Sequence, residues 1–259
     1  MHNTSFFSDI YRSILLWRYW YRISLIDIKN KYSRTKLGPF WITGTVAVTI
    51  FAMGPLFGVL FNRPMDTYLL HLATGMVFWL YISTTISESS HAFIENAALI
   101  KNTNKPKYMY VFRIVSRNTI IMLHNISIPI IVALYYGNLS INIFMIIPII
   151  VLVVILLSLI SYPVGIMSTR YRDFIPLIQN VLQLFFFLTP IFWVAGTASE
   201  RFKFLYLNPF DYILSIMRSP FYGTYDLNNI VMLFVFMIIF FIVSFVLYKK
   251  YTTKISYWL

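Results

Sequence analysis

The sequence predicts an all-α integral membrane protein with six transmembrane helices. Three observations support this: an apolar composition, charge-free runs long enough to cross a bilayer, and an uneven distribution of Lys and Arg between the loops. Of the 259 residues, 59% are hydrophobic and 12% are charged, whereas about a quarter of the residues in a soluble domain are charged. The net charge is +12, and the basic residues lie between the apolar runs. This position favours contact with anionic lipid headgroups over binding to nucleic acid.

The charge-free runs set the number of predicted spans. A helix needs about 20 apolar residues to cross the hydrocarbon core. The run 118–169 is too long for one crossing, and it divides at a turn-like cluster, residues 136–140, because Gly, Asn and Ser favour turns. The six predicted spans lie in 37–61, 67–87, the two halves of 118–169, 174–199 and 227–248.

The distribution of Lys and Arg predicts the orientation. Seventeen of these residues fall before the first span, between spans two and three, between spans four and five, and after span six, against four in the other loops. Loops rich in Lys and Arg stay in the cytoplasm. We therefore expect both termini of this sequence on the cytoplasmic side.

The segment before the first span, 1–36, predicts a helix lying along the membrane surface. Apolar residues recur at helical spacing, at Phe7, Ile10, Ile14 and Trp17. The neighbouring tryptophans and tyrosines suit the headgroup level, where a ring buries its body and keeps its polar edge wet. A short soluble helix packed on a partner is the alternative.

Two further segments outside the spans suggest different roles. The loop 88–110 is too short for a catalytic domain, but it suits a docking helix. The segment 196–226 contains apolar pieces that are too short to span, interrupted by Pro209, Pro220 and Gly223. Short apolar helices of this kind are predicted to be re-entrant or interfacial.

The sequence contains none of the usual patterns of an enzyme site. It has no cysteine, which excludes disulfides and thiolate metal sites. No glycine is followed by lysine, so it contains no phosphate-binding P-loop. The four histidines are scattered, and no acidic residue pairs with another as a general acid–base couple would require. We therefore predict no catalytic residue, no metal site and no bound cofactor.

Four segments together carry a family resemblance. They are 27–41 at the start of span one, the turn 171–173, the stretch 188–193, and 208–210 with Arg218 beyond it. In this order, over nearly the whole chain, they resemble the permease subunit of bacterial polysaccharide-export ABC transporters, the type-2 class that exports O-antigen, capsule or teichoic acid. The sequence Thr189-Pro190-Ile191-Phe192 favours the O-antigen type.

The resemblance implies a transport subunit rather than an enzyme. A homodimer in the bacterial inner membrane would move a polyprenyl-diphosphate-linked polysaccharide through an aromatic-lined channel. A separate ATP-binding subunit would hold ATP and magnesium and supply the energy. The partners implied are therefore that subunit, a second copy of the chain, the lipid-linked polysaccharide and membrane lipids, with no nucleic acid.

Four groups of site residues follow from this interpretation. Aromatic rings can stack on the apolar faces of sugars, and the candidate channel residues are Trp41, Trp79, Tyr81, Phe185, Phe192 and Trp193. A diphosphate needs basic groups at the cytoplasmic surface, and the candidates are Lys29, Lys31, Arg34 and Lys36, which could equally serve only to set the topology. The candidates for coupling to the ATP-binding subunit are Glu88, Glu95, Lys101 and Lys105. The candidates for an outer gate are Asn208, Pro209, Phe210 and Arg218, in a segment that could instead anchor the dimer.

Two other function classes remain open on the sequence alone. A polytopic acyl- or glycosyltransferase would need a cluster of His and Asp, or paired Asp residues, at a membrane face. A secondary transporter or channel would more often show ionisable residues in mid-span and repeated halves. Co-purification with an ATP-binding subunit would separate both from the favoured interpretation.

Overall fold

The structure is a computed structural model that describes residues 5–32, 38, 40–137, 139–194 and 208–259. Every regular element in these ranges is helical, which confirms the predicted fold class. Short 3-10 turns lie at Ile141–Met145 and Thr252–Lys254. The helices are α1 (Phe6–Leu15), α2 (Trp17–Tyr32), α3 (Phe40–Leu60), α4 (Met65–Ser89), α5 (Ala97–Asn102), α6 (Tyr108–Asn125), α7 (Ser127–Tyr135), α8 (Ile146–Arg170), α9 (Phe174–Leu188), α10 (Pro209–Tyr222), α11 (Leu227–Tyr251) and α12 (Ile255–Trp258).

Within the described ranges, five helical stretches are long and apolar enough to cross a membrane. They coincide with predicted spans one to four and six, and they confirm a multi-pass membrane protein. The stretches are Phe40–Leu60, Met65–Ser89, Tyr108–Tyr135, Ile141–Arg170 and Leu227–Trp258.

The fifth predicted span differs from the expectation. The run 174–199 is not one helix, because α9 ends at Leu188, just before Pro190, which has no backbone N–H to continue the hydrogen-bond ladder. The 15 residues of α9 extend about 22 Å, less than the roughly 30 Å hydrocarbon core.

Even so, this segment runs along most of the length of α4. Near one end, Gln179 lines the same cavity as Glu88. Beyond the helix, the carbonyl of Phe192 accepts a hydrogen bond of 2.7 Å from the hydroxyl of Tyr68, which lies at the other end of α4. A crossing completed by non-helical chain fits these contacts, and the total of six crossings stays a prediction.

Helix α4 lies at the centre of the bundle and contacts α3, α6, α8, α9 and α10. Two glycines on α3 allow its close approach to α4. A Cβ added at Gly54 would meet the side chain of Leu69, and one at Gly58 would meet that of Met65. Because most of α4 is buried, most residues on this helix face either the core or a cavity between helices.

The predicted surface helix consists of two helices, α1 and α2, joined at Leu16. The second helix packs along α6, where the hydroxyl of Ser24 donates to the carbonyl of Arg113 at 2.8 Å. The first leaves Phe7 and Tyr11 more than half exposed. An exposed apolar face of this kind suits a membrane interface.

A buried carboxylate joins α1 to the start of α6. Asp9 accepts hydrogen bonds from the backbone N–H groups of Lys107 (3.1 Å) and Tyr108 (3.0 Å), which are otherwise unpaired at a helix N-terminus. Burial raises the pKa of Asp9, and the two N–H donors partly oppose this rise. The ring of Tyr108 stacks on Tyr162 of α8 at 4.3 Å, so α1, α6 and α8 share one core at this end.

Candidate functional site

A groove with a polar lining opens between α4 and α9. Its volume is about 480 Å³. The amides of Gln179 and Gln183, the only glutamines in the sequence, face hydroxyls on α4 across this space. The polar residues of the lining are Ser83, Thr84, Ser87, Glu88, Gln179 and Gln183, and the apolar ones are Met76, Trp79, Leu80, Leu182 and Phe186.

An aromatic ladder continues from the groove toward the other end of α4. The ring of Trp79 lies 5.8 Å from that of Phe186, which lies 5.2 Å from Phe192. Phe192 in turn lies 5.2 Å from Phe57 on α3. Side chains that combine rings with amides and hydroxyls at membrane depth suit a ligand with both apolar faces and hydroxyl groups.

The predicted channel aromatics take different positions. Trp79 lines the groove and Phe192 belongs to the ladder. Phe185 packs on Phe210 at 4.9 Å, and Trp193 donates from its indole to the carbonyl of Phe187 at 3.3 Å.

Two of these aromatics lie away from the groove. Tyr81 is 3% exposed and its hydroxyl pairs with that of Thr119 on α6 at 2.9 Å. Trp41 is exposed at the start of α3.

The sequence analysis did not predict Phe186, Gln179 and Gln183 as groove residues. Two glutamines four residues apart in an apolar run nevertheless indicate one polar helix face.

A network of charged side chains lies at the same end of α4 as the groove. Arg113 on α6 donates two hydrogen bonds of 2.7 Å to the carboxylate of Asp27 on α2. It also donates to the side-chain oxygen of Asn96, the residue directly before α5, at 2.8 Å. Arg117 binds Glu88 at 2.8 Å and Asp27 at 3.4 Å. The network therefore connects α2, α4, α6 and the loop that carries α5.

The predicted coupling residues divide into two kinds. Glu95 and Lys101 are exposed and available to a partner. Glu88 is held by Arg117 and by the amide of Asn118 at 2.6 Å, and the ammonium of Lys105 lies 3.4 Å above the ring centre of Tyr19. Glu88 also lines the groove, so the loop's ion network directly adjoins the groove.

Two of the four residues of the predicted basic gate lie in the described part of the chain. Lys29 and Lys31 are exposed near the end of α2, two and four residues beyond Asp27 of the ion network. Arg34 and Lys36 lie outside the described residues.

The predicted outer segment, where described, forms a helix packed into the core. Asn208 caps α10 by accepting from the backbone N–H of Phe210 at 3.0 Å, and its amide donates to the hydroxyl of Thr189 at 2.9 Å. Pro209 occupies the first turn of the helix, where a missing N–H costs no hydrogen bond. The predicted residues 196–207 lie outside the described part of the chain.

Arg218 has an internal position. It is 7% exposed and donates to the carbonyls of Pro190 (2.9 Å) and His71 (3.2 Å). Its side chain fills the space in front of Gly75, where a Cβ would collide with it. Arg218 therefore fastens α10 to α4 and to the chain that follows α9.

A metal site receives no support from the described part of the chain, where no three suitable side chains come together.

Comparison with known proteins identifies the family of the chain. Residues 18–222 match the family described as ABC-2 type transporter. The chain belongs to this family.

Three relatives of this ABC-2 chain carry the name O-antigen export system permease protein RfbA. The one from Myxococcus xanthus is 23% identical over 208 residues, covering 77% of this chain and 79% of the relative. Two from Klebsiella pneumoniae are 23% and 24% identical over 228 residues, covering 86% of this chain and 88% of each relative. As an ABC-2 membrane component, the chain works with an ATP-binding subunit.

Proposed function

We propose that the chain is the membrane subunit of an ATP-driven exporter, and that it moves a polyprenyl-diphosphate-linked polysaccharide out of the cytoplasm. The family and the O-antigen exporters among the relatives support this class of substrate. The observation that carries the proposal is the groove between α4 and α9. The amides of Gln179 and Gln183 are exposed in this single chain, and polar groups at membrane depth normally face a bundle interior or a water-filled path rather than lipid.

The chemistry of the groove suits a sugar chain. The rings of Trp79 and Phe186 can stack on the apolar faces of sugars, while the amides and the hydroxyls of Ser83 and Thr84 can exchange hydrogen bonds with sugar hydroxyls. None of these lining residues carries a positive or negative charge except Glu88 at one end. Such a lining binds each sugar weakly and similarly, which lets a polymer slide.

A second copy of the chain completes the path in this proposal. One chain supplies the α4 and α9 walls and leaves the groove open on its remaining side. Helix α3 exposes large apolar side chains along its length, including Phe40, Trp41 and Val48, which offer contact area to a partner. A homodimer would therefore enclose two grooves in one channel.

The cytoplasmic end of the groove would receive the diphosphate. Lys29 and Lys31 belong to the helix that the Asp27–Arg117–Glu88 contacts hold beside the groove. Ammonium and guanidinium groups form short, charge-assisted hydrogen bonds with phosphate oxygens. In this proposal Arg34 and Lys36 take part in the same recognition.

ATP hydrolysis takes place on the separate subunit. The energy reaches the groove through the loop 88–110, because Asn96 and Glu88 bind Arg113 and Arg117 of α6. The same two arginines also hold Asp27 of α2. In this proposal the chain lies in the inner membrane of a bacterium, with both termini in the cytoplasm.

The test is glycan-stimulated ATP hydrolysis by the complex in proteoliposomes. We expect a polyprenyl-diphosphate glycan to stimulate hydrolysis by the wild-type complex. Replacing Gln183 by Leu should reduce the stimulation without changing basal hydrolysis. Asn180→Leu is the matched control, since Asn180 lies on the same helix and is exposed but does not line the groove. A wild-type complex that ignores the glycan would refute the proposal.

A further inference from the structure

The segment after α11, residues 252–259, folds back on the bundle. Helix α12 packs against α8 and α5, and Ile255 is fully buried in a cluster with Ile100 of α5 and Tyr110 of α6. The segment is therefore part of the same body as the loop 88–110.

Arg170 at the end of α8 clamps this segment through the ring of Trp258 and holds the rings of Tyr171 and Tyr251 beside it. Its guanidinium carbon lies 4.8 Å from the ring centre of Tyr171, 5.1 Å from that of Tyr251 and 5.4 Å from that of Trp258. A guanidinium over aromatic faces at these distances is attracted by the ring quadrupoles. The clamp fixes where the neighbouring Tyr257 is presented.

The clamped segment lies at the predicted cytoplasmic end of the bundle. Arg117 of the ion network lies nine residues after Tyr108 on α6, so the two are about 13 Å apart along the helix at 1.5 Å per residue. Tyr108 stacks on Tyr162, and α8 continues eight residues further to Arg170, about 12 Å more. Along the two helices, the clamp therefore lies about 25 Å beyond the ion network, at the end of the bundle that carries Lys249, Lys250 and Lys254 and that is cytoplasmic in the proposed orientation.

At this end of the bundle, the segment presents an aromatic and basic surface. Tyr257 is 75% exposed, and Lys254 beside it is also exposed. On the adjoining α5, Leu99 is 38% exposed and Lys101 is exposed. Tyrosine is enriched at protein interfaces and among the residues that dominate their binding energy.

We propose that residues 252–259, clamped by Arg170, form a docking element for the ATP-binding subunit, with Tyr257 as its anchor and Lys254 and Lys101 facing acidic groups of that subunit. The inference rests on the proposed function, and it adds a contact site outside the loop 88–110. It makes the end of the last span part of the surface that receives the ATP-driven movement. Because the segment packs on α5, the two contact sites move together.

The decisive experiment is photo-cross-linking in the assembled complex. A benzophenone amino acid at position 257 is expected to cross-link to the ATP-binding subunit. The same probe at Tyr135, which is 81% exposed near the opposite end of the bundle, is the matched control and should not. Cross-linking from position 257 to a second copy of this chain, or to lipid alone, would overturn the proposal.

Affinity measurements complete the test. Tyr257→Ala is expected to weaken binding of the ATP-binding subunit about tenfold, which corresponds to about 1.4 kcal/mol. Arg170→Gln should weaken it similarly and should increase the mobility of a spin label at position 257, because the clamp is lost. Tyr225→Ala, on the other face of the protein, should leave binding unchanged.

The outcomes separate this inference from the proposed function. If the wild-type chain binds no ATP-binding subunit, the proposed function itself fails. If the wild-type complex forms, but position 257 gives no cross-link to that subunit and Tyr257→Ala binds as tightly as wild type, only the docking element is refuted.

Discussion

Replacing Arg113 by Gln should release α2 from α6. The guanidinium of Arg113 donates two hydrogen bonds of 2.7 Å to Asp27 and one of 2.8 Å to Asn96. Its side chain is 23% exposed and that of Asp27 is 16% exposed. An exposed ion pair contributes about 0–1 kcal/mol and breaking a buried one costs about 3–5 kcal/mol. For this partly buried pair we expect a loss of about 2–3 kcal/mol.

That loss predicts a measurable opening of α2. At about 1.4 kcal/mol per tenfold change in an equilibrium constant, the undocked population of α2 rises about 30- to 140-fold. Hydrogen exchange of the backbone amides around Asp27, measured in lipid nanodiscs, should accelerate by a similar factor because exchange reports the open population. The spans themselves should keep their protection, since their packing is unchanged.

Two control variants make this result interpretable. Arg113→Lys keeps the charge but cannot form two parallel hydrogen bonds, so its exchange should lie between wild type and Arg113→Gln. Arg22→Gln removes an exposed arginine from α2 itself and should change nothing. If the amides around Asp27 exchange at the wild-type rate in Arg113→Gln, the ion network does not hold α2 and our account of coupling is wrong.

Three further predictions concern other parts of the chain. Burial raises the pKa of Asp9 above its unfolded value of 3.8, and the groups that face it are Lys107, Tyr108 and Tyr248. The stability that Asp9 contributes is therefore complete below about pH 4 and is lost as the pH rises through the raised pKa. Asp9→Asn should therefore flatten the pH dependence of hydrogen exchange in α1, and an unchanged pH profile would contradict this. Gly75→Leu should prevent folding or expel Arg218 from its site, lowering the thermal unfolding temperature in detergent, whereas Gly44→Leu, at an open position on α3, should not. A single cysteine at position 257, in a chain with none of its own, should react with an impermeant maleimide only from the cytoplasmic side, and labelling from outside would refute the orientation.

The spans could be predicted from sequence because a charge-free run is a local property. Four crossings and the last one coincide with helices for that reason. The end of α9 was misplaced because hydropathy measures apolarity and not helix continuity, which Pro190 interrupts.

The candidate site was less predictable because its members are distant in sequence. Arg113 and Arg117 share one face of α6, but they meet Asp27 and Glu88 only when α2, α4 and α6 pack. The burial of Tyr81 and Arg218 likewise depends on which face of each helix meets the core. By contrast, the groove amides at Gln179 and Gln183 could have been found, since their spacing places them on one face of α9.

The central claim is that ATP drives a lipid-linked polysaccharide through this chain. The most direct measurement uses sealed proteoliposomes that contain the chain with its ATP-binding subunit and a fluorescent polyprenyl-diphosphate glycan. In complexes whose ATP-binding subunit faces outward, ATP should move the glycan into the lumen, where an external glycosidase no longer cleaves it. Gln183→Leu should slow this protection, and Asn180→Leu should not. If the glycan stays equally cleavable with and without ATP while the complex hydrolyses ATP, the chain is not the exporter subunit that we propose.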